Sequence, residues 1–285
     1  MSVLVIGGAN VDVKAKTLAS HILRTSNPGM VSIKAGGVAR NIAHNLARLN
    51  VDTTLLSVIG NDAFGEMLMR ETSKAGVNTN HIMRTNQATG SYIAVLNAQG
   101  ELITAVSDME LLSFLSKEYI ADQKQLVKEN KYIIGDCNLS EETLDEIANQ
   151  ASERLIIEPV SVSKSKKLLS LLKNHQIFLA TPNLDQIEAL TGTRDIPASA
   201  KALHKLGLQN IVIHAGEQGA YVSDGKEIAH IPSQANTIVD VTGAGDAATA
   251  GLISGILKNL PLAKAAIIGQ EIAAKVIASP SSTLD

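Results

Sequence analysis

Residues 240–257 read DVTGAGDAATAGLISGIL, a glycine-rich loop that leads directly into an apolar segment rich in small residues. Glycines at 243 and 245 let the backbone approach a ligand closely. A helix that begins here presents unpaired N–H groups and the positive end of its dipole. The stretch therefore predicts an anion site at a helix N-terminus. The alternative is an ordinary capped helix with a glycine-rich start, and the spacing alone leaves both open.

Asp246 falls in the first turn of this predicted helix. A carboxylate is stabilised at the positive end of a helix dipole, so we expect Asp246 to stay ionised. An ionised carboxylate beside a bound phosphoryl group can accept the proton of a hydroxyl whose oxygen attacks phosphorus. The pattern thus favours phosphoryl transfer to an alcohol, with Asp246 as the base.

Around this segment, short β-branched runs alternate with longer amphipathic ones, which is typical of βαβ units and a largely parallel sheet. The predicted strands are residues 3–6, 54–58, 132–134, 155–157, 177–179 and 211–214. The predicted helices are residues 38–49, 63–75, 140–152, 163–173, 184–190, 198–206, 244–258 and 262–277.

Two stretches interrupt this alternation. Residues 11–34 hold short alternating pieces and an SNPG turn, and residues 90–106 form two predicted strands around an NAQG turn. A small sheet that crosses over a site acts as a lid, and we place the lid segments at about 11–34 and 88–110. Two edge hairpins without that role are the alternative. Because no repeat or linker divides the chain, we expect a single domain over residues 1–285.

Two further glycine motifs lie near the N-terminus. The first, GGANVD at residues 7–12, departs from the GxGxxG of a dinucleotide fold because Asp12 falls where the third glycine should be. This departure disfavours dinucleotide-dependent redox chemistry. The second, GGVARN at residues 36–41, puts Asn41 one turn into a predicted helix. Asp12 and Asn41 are suited to bind sugar hydroxyls, although a tight turn with a cap explains each motif equally well.

Composition excludes several other classes of protein. The net charge of −3 over 285 residues lacks the basic footprint of a nucleic-acid binder, and 2% aromatic residues give no base-stacking surface. No uncharged stretch reaches the roughly 20 residues of a membrane-spanning helix. The single cysteine, Cys137, excludes an internal disulfide and indicates a reducing, cytoplasmic location. The seven histidines lack the spacing of metal ligands.

Together the motifs resemble the ribokinase-like family of carbohydrate and nucleoside kinases, also called the phosphofructokinase B family. Residues 35–43 through 60–65 are similar to its N-terminal signature, and residues 240–246 to its C-terminal one. The resemblance implies an α/β fold, a ribokinase-like three-layer sandwich with a mostly parallel central sheet and a small β-sheet lid. It also implies an ATP-dependent phosphotransferase that acts on an alcohol group.

Within the family, residues 26–29, 36–49 and 107–109 resemble pseudouridine kinases, which implies that the acceptor is the 5′-hydroxyl of pseudouridine. A kinase for ribose, another nucleoside or a ketohexose is the first alternative. The second is a non-catalytic nucleotide or nucleoside sensor.

The resemblance also implies roles for individual residues, with Asp246 as the catalytic base. The residues implied to form the anion hole are Gly243, Ala244 and Gly245. The residues implied to hold ribose hydroxyls are Asp12, Asn41 and the backbone of Gly37. The residues implied to contact ATP are Asn183, near Mg²⁺ and the phosphates, with Gly216, Gly219 and Gly243. The residues implied to coordinate a monovalent cation, usually K⁺, are Asp240 and Thr242.

The chain departs from the family where the motif Asn-x-x-Glu is usual. Its fourth position is Gln186 here, so Asp185 and Glu188 are the expected substitutes for the missing acid near Mg²⁺. His214 replaces a residue that is more often Thr or Lys. The expected partners are ATP and a small-molecule sugar or nucleoside, with no nucleic acid and no membrane. Exposed lid edges favour pairing, which would give a homodimer through the lid.

Overall fold

The structure, a computed structural model that describes residues 1–285, contains two β-sheets. Their strands are, in chain order, β1 (Ser2–Ile6), β2 (Asn10–Thr17), β3 (Gly29–Gly36), β4 (Asp52–Gly60), β5 (Ile82–Thr85), β6 (Ser91–Leu96), β7 (Leu102–Asp108), β8 (Tyr132–Asp136), β9 (Leu155–Glu158), β10 (Ile177–Ala180), β11 (Leu208–His214), β12 (Ala220–Ser223) and β13 (Ile228–Ile231).

The helices flank the larger sheet, and none has the length and apolar composition needed to cross a membrane. They are, in chain order, α1 (Val38–Arg48), α2 (Ala63–Lys74), α3 (Lys117–Asp122), α4 (Lys124–Glu129), α5 (Glu141–Ala151), α6 (Val162–Ser165), α7 (Lys167–Leu172), α8 (Leu184–Thr191), α9 (Ile196–Lys205), α10 (Ala244–Leu257) and α11 (Leu262–Ile277).

The larger sheet has nine strands in the order β13-β12-β11-β10-β9-β8-β1-β4-β5. All neighbours from β11 to β5 pair in parallel, and only β12, which pairs antiparallel with both β11 and β13, runs in the opposite direction. The carboxyl ends of the central strands therefore meet at one edge of the sheet, where ligands of open α/β sheets bind. The predicted mostly parallel α/β sheet is confirmed.

Alternate residues of the central strands enter two separate cores. On β1, Leu4 and Ile6 pack into the core formed with α5, α7, α8 and α9, whereas Val3 and Val5 pack into the core formed with α1, α10 and α11. Both faces of the sheet are thus covered by helices, as buried parallel strands require. This confirms the three-layer sandwich.

The smaller sheet has four strands in the order β3-β2-β6-β7. Strand β2 pairs antiparallel with β3 and parallel with β6, so the two predicted hairpins join into one sheet. Side chains alternate across it. One face carries polar residues such as Asp12 and Lys14, and the other carries apolar residues such as Ile33 and Ile93. These strands come from the segments predicted to form the lid, and the lid role stays a prediction.

Several elements differ from the sequence-based expectation. The single helix predicted at 163–173 is two helices, α6 and α7, because Ser161 caps the first and the chain starts a new helix after Lys166. Helix α9 begins two residues earlier than predicted because Asp195 accepts a hydrogen bond from the N–H of Ala198. The short elements α3, α4, β5, β12 and β13 were not predicted, since brief runs at a sheet edge give weak periodicity.

Candidate active site

Helices α1 and α10 both begin on a glycine. Gly37 has φ +97° and Gly243 has φ +81°, in the region of backbone space that favours glycine. A Cβ atom on Gly37 would collide with the carbonyl oxygen of Gly8, and one on Gly243 would collide with that of Ser282. Both positions need glycine for conformation and for space, which accounts for the two sequence motifs.

The first N–H groups of these two helices differ in their hydrogen-bond partners. In α1, the N–H of Ala39 donates to Asp136 at 3.2 Å and the N–H of Arg40 donates to the carbonyl of Gly8 at 3.2 Å. In α10, the N–H groups of Gly245 and Asp246 have no acceptor within the protein, and Gly245 faces open space. Free N–H groups at the positive end of a helix dipole bind anions. The geometry thus favours an anion site at α10 and not at α1.

The carboxylate of Asp246 is held by α1. The Nδ2 group of Asn41 donates to Oδ2 of Asp246 at 2.9 Å. Arg40 donates to Oδ1 of Asn41 at 3.2 Å, which fixes the orientation of the amide. Arg40 also contacts Nδ1 of His44 at 3.0 Å, while Nε2 of His44 lies 2.9 Å from the carbonyl oxygen of Leu284. Burial lowers the pKa of His44 to about 4, so the neutral ring accepts from Arg40 and donates to Leu284.

The surroundings of Asp246 oppose the effect that is expected of the helix N-terminus. Burial raises the pKa of Asp246 well above its ordinary value, and the nearby carboxylate of Glu158 raises it further. The hydrogen bond from Asn41 opposes this rise without cancelling it. The helix dipole favours the charged carboxylate, whereas burial among other acids raises its pKa, so the ionisation of Asp246 stays a prediction.

Glu158 lies at the carboxyl end of β9 and is buried. Its Oε2 accepts a hydrogen bond from the Thr181 hydroxyl at 2.6 Å and lies 3.5 Å from the Thr249 hydroxyl, one turn of α10 beyond Asp246. Burial raises the pKa of Glu158 to about 7, and the charge of Asp136 contributes. Sequence reasoning missed Glu158, although an acid directly after the predicted strand 155–157 lies where ligands of open α/β sheets bind.

Asp136 ends the neighbouring strand β8 and is wholly buried. Its carboxylate accepts the N–H groups of Gly8 at 2.8 Å, Ala39 at 3.2 Å and Asn138 at 2.9 Å. These three bonds tie the turn after β1 to the start of α1. Asp136 is therefore a positioning residue for the two glycine motifs.

The expected sugar-binding residues lie side by side. The Nδ2 group of Asn10 donates to Asp12 at 2.8 Å, and the Asp12 carboxylate lies directly over Gly36. Gly37 in turn contacts the backbone of residues 8–10. The structure thus brings Asp12, Gly37 and Asn41 close together. The motifs at residues 7–12 and 36–41 are separated in sequence by the β2–β3 hairpin, whose pairing brings them side by side.

The residues expected near the phosphates have a different arrangement from the one predicted. Asn183 and Gln186 form a reciprocal cap on α8, in which each side chain accepts the other's backbone N–H at 2.9 Å. Asp185 and Glu188 are exposed and both bind Arg194, at 2.5 and 2.7 Å. Both acids are engaged in this exposed ion pair and not with the buried groups around Asp246, which disfavours the expectation that they replace the missing acid. Glu158 is the buried carboxylate at this place.

The loop after β11 supplies the remaining nucleotide-side residues. Gly216 is exposed with open space before it, whereas Gly219 is buried and a Cβ atom there would collide with the carbonyl of Ile231. Chain packing therefore explains Gly219. Nε2 of His214 lies 3.5 Å from the Thr249 hydroxyl, and burial lowers the pKa of His214 to about 4, which keeps the ring neutral. The backbone of His214 also forms an isolated parallel β-bridge with that of Asn183.

The segment before α10, residues 240–245, is called the anion-hole loop below. Its two expected cation ligands already bind a cation of the protein. The Nζ group of Lys14 donates to Oδ2 of Asp240 at 3.0 Å and to the hydroxyl of Thr242 at 2.8 Å. Although burial opposes ionisation, hydrogen bonds from Thr242 and the Lys14 ammonium keep the pKa of Asp240 below its ordinary value. These oxygens therefore do not fit K⁺ while Lys14 is in place.

The same edge of the sheet offers oxygen ligands for Mg²⁺. No group of three or more His, Cys, Asp or Glu side chains is arranged to hold a metal ion by itself. Mg²⁺ usually binds through one or two carboxylates together with water and substrate phosphates. Glu158 and Asp246 provide carboxylate oxygens beside the free N–H groups of α10. The donor set therefore fits Mg²⁺ that arrives with a phosphate ligand.

This geometry agrees with the comparison to known families. The sequence model of the "pfkB family carbohydrate kinase" matches residues 1–285. The chain belongs to this family. Membership and the fold together make it an ATP-dependent sugar or nucleoside kinase.

Individual relatives support the same class of enzyme. The chain is 36% identical over 277 residues to the pseudouridine kinase of Escherichia coli K12, covering 94% of this chain and 88% of that protein. It is 25% identical over 291 residues to the guanosine-inosine kinase of Exiguobacterium acetylicum, covering 99% and 96%. The crystal structure of a ribokinase from Thermotoga maritima superposes with a TM-score of 0.86 at 21% identity, covering 99% and 94%, which shows the ribokinase-like fold.

The raised pKa of Glu158 predicts a specific dependence of stability on pH. The folded protein binds this proton more tightly than the unfolded chain, so the stabilisation is complete below the ordinary pKa of 4.5 and is lost as pH rises through about 7. The shift corresponds to about 3 kcal/mol. Glu158→Gln removes the titration, and we expect the variant to lose less free energy of unfolding than the wild type between pH 5 and pH 8. Urea denaturation of the ligand-free protein at the two pH values measures this.

Glu188→Gln is the matched control, since Glu188 is exposed and pairs only with Arg194. We expect it to follow the wild type at both pH values. An equal loss of free energy of unfolding in the wild type and in Glu158→Gln would contradict the assignment of a raised pKa to Glu158.

Proposed function

We propose that this kinase transfers the γ-phosphoryl group of ATP to the 5′-hydroxyl of pseudouridine, with residues 1–285 acting as one domain and the small sheet as its lid. The observation that carries the chemistry is the carboxylate of Asp246 beside the free N–H groups of α10. The choice of acceptor is supported by likeness over nearly the whole chain to a pseudouridine kinase.

Asp246 is the proposed base for the 5′-hydroxyl. Asn41 holds its carboxylate through Oδ2, and Arg40 orients Asn41. A general base works best when its pKa lies near the working pH. Burial moves the pKa of Asp246 upward from its ordinary range, and therefore toward that optimum. The shift makes Asp246 a stronger proton acceptor than an exposed aspartate.

The free N–H groups of the anion-hole loop and of α10 would stabilise negative charge that develops on the transferring phosphoryl group. Such preorganised donors act only on the charge of the transition state and so raise the rate of the chemical step. Glu158 would hold Mg²⁺, which when bound supplies positive charge to the phosphates. Asn183 and Gly216 would line the nucleotide side of the cleft.

The lid would complete the acceptor site. Asp12, on its polar face, and the backbone of Gly37 are placed to hold ribose hydroxyls beside Asn41. A closed lid would exclude water, which otherwise competes with the nucleoside for the phosphoryl group. Positioning of the sugar and exclusion of water are thus assigned to the same sheet.

We also propose that the apolar face of the lid is covered by a second copy of the chain. Val31, Ile33, Ile93 and Val106 share this face and are 66%, 48%, 40% and 62% exposed. The face continues into residues that pack on α2. Two such faces can pack against each other about a two-fold axis, as sheets do in β-sandwiches.

Asp246→Asn tests the proposed base. The amide keeps the size of the side chain and an oxygen that accepts from Asn41, but it cannot accept a proton. We expect pseudouridine 5′-phosphate formation to fall about 10²- to 10⁴-fold with ATP and Mg²⁺ in potassium buffer, while the melting temperature does not fall. The control is Asp185→Asn, which removes only an exposed ion pair with Arg194 and should keep full activity. Retained turnover in Asp246→Asn would contradict the mechanism.

The acceptor is tested separately by comparing kcat/KM for pseudouridine, uridine, guanosine, ribose and a ketohexose. We expect pseudouridine to be preferred. A preference for guanosine would favour the alternative suggested by the guanosine-inosine kinase. It would contradict the assignment of pseudouridine as acceptor and leave the role of Asp246 as base unaffected. Thermal stabilisation of the wild type by ligands with no phosphate transfer to any acceptor would instead favour a non-catalytic sensor.

Val106→Lys tests the dimer. A charge introduced on this apolar sheet face should prevent pairing. We expect sedimentation to give about twice 30.0 kDa for the wild type and 30.0 kDa for the variant. Leu206→Lys changes an exposed leucine remote from the lid and should leave the dimer intact. A wild type that sediments as a monomer at micromolar concentration would contradict the proposal.

A further inference from the structure

We propose that the ammonium group of Lys14 takes the place of a bound monovalent cation at the anion-hole loop, so that this kinase works without K⁺. The inference rests on the proposed function, because it concerns how the loop is held for phosphoryl transfer. It comes from a contact that spans 226 residues of sequence and joins the small sheet to the loop.

The loop already has its oxygens paired. Oδ1 of Asp240 accepts a hydrogen bond from the backbone N–H of Thr242 at 2.9 Å, and Oδ2 accepts one from Nζ of Lys14 at 3.0 Å. The Thr242 hydroxyl accepts the same ammonium at 2.8 Å. Both carboxylate oxygens and the hydroxyl are therefore used. A free cation would have to displace Lys14 from both of its acceptors, Asp240 and Thr242.

A second lysine, Lys34, lies on the same face of the small sheet as Lys14. Lys14 lies opposite Ser32 and Asp12 lies opposite Lys34 in the β2–β3 pairing, so all four share one face of the small sheet. The Nζ group of Lys34 donates to the carbonyl of Pro280, two residues before the Ser282 carbonyl that packs on Gly243.

The small cleft between these elements has no apolar side chain. Its lining residues are Asp12, Lys14, Ser32, Lys34, Asp240, Thr242 and Ser282. The small sheet therefore brings two ammonium groups to the place where the anion-hole loop and the C-terminal segment present oxygens. A third positive charge within about 3 Å of Lys14 would be repelled.

The ammonium has a physical role in the reaction as well as in folding. The N–H groups of Gly245 and Asp246 can stabilise a phosphoryl group only if the loop before them keeps its shape. Lys14 fixes that loop through Asp240 and Thr242. Because Lys14 acts through these two residues, it is a positioning residue. The contact also links the loop's shape to the position of the lid.

The wild-type enzyme provides the first test. Its rate of pseudouridine phosphorylation is measured with ATP and Mg²⁺ in potassium, sodium or tetramethylammonium chloride at equal ionic strength. We expect the same kcat in all three salts, because the required cation is part of the chain. A wild type that loses most of its activity when K⁺ is removed would overturn the inference. Absence of activity in every salt, potassium included, would instead contradict the proposed function.

Lys14→Met provides the second test, since methionine keeps the apolar stem and removes the ammonium. Loss of two charge-assisted hydrogen bonds should lower kcat about 10- to 100-fold in tetramethylammonium chloride, and potassium chloride should restore it. We expect kcat to change more than the KM for the nucleoside, because the loop acts on the transition state. Lys14→Arg keeps the charge and should remain independent of K⁺.

A binding readout separates this role from a general loss of stability. Potassium chloride should raise the melting temperature of Lys14→Met above its value in tetramethylammonium chloride, and should leave the wild type unchanged. Lys16→Met is the matched control, because Lys16 lies on the same strand and face without a bond to the loop. It should behave like the wild type. A fully active Lys14→Met enzyme with no response to any cation would overturn the inference.

Discussion

The hydrogen bond between Asn41 and Asp246 joins the two helices on which the site depends. Both helices start on a glycine at the carboxyl edge of one parallel sheet. The N–H groups of Ala39 and Arg40 in α1 are paired, whereas those of Gly245 and Asp246 in α10 are free. Asp136 and Glu158 end adjacent strands at the same edge. Collecting these acids in a buried place raises the pKa of Asp246, and that rise suits a residue proposed to accept a proton near neutral pH.

The small sheet has two unlike faces because its side chains alternate with the pleat. Its polar face brings Asp12 toward the proposed sugar site and Lys14 onto the anion-hole loop. Its apolar face is exposed and offers a surface for a second copy. A negative net charge is compatible with an anionic substrate, since helix N–H groups can bind an anion without a basic surface.

Strong local patterns predicted most of the fold. The six strands predicted from β-branched runs all lie in the large sheet, and the helices at α1 and α10 begin where the glycine motifs indicated. The site was harder to predict because its electrostatics depend on long-range packing. Nothing near Asp246 in sequence reveals that Glu158 lies close enough to raise its pKa. The contact of Lys14 with Asp240 likewise depends on how one sheet docks on the other. Asp185 and Glu188 had suitable chemistry, but the helix turns them toward Arg194.

The central claim is that the acceptor hydroxyl meets the carboxylate of Asp246 at the free end of α10. The most direct measurement is a crystal structure of the protein with pseudouridine and a non-hydrolysable ATP analogue. The account predicts that the 5′-oxygen lies within hydrogen-bonding distance of Asp246, about 2.6–3.2 Å, with the γ-phosphate on the N–H groups of Gly245 and Asp246. A nucleoside bound with its 5′-oxygen away from Asp246, or a phosphate bound at another helix, would contradict it.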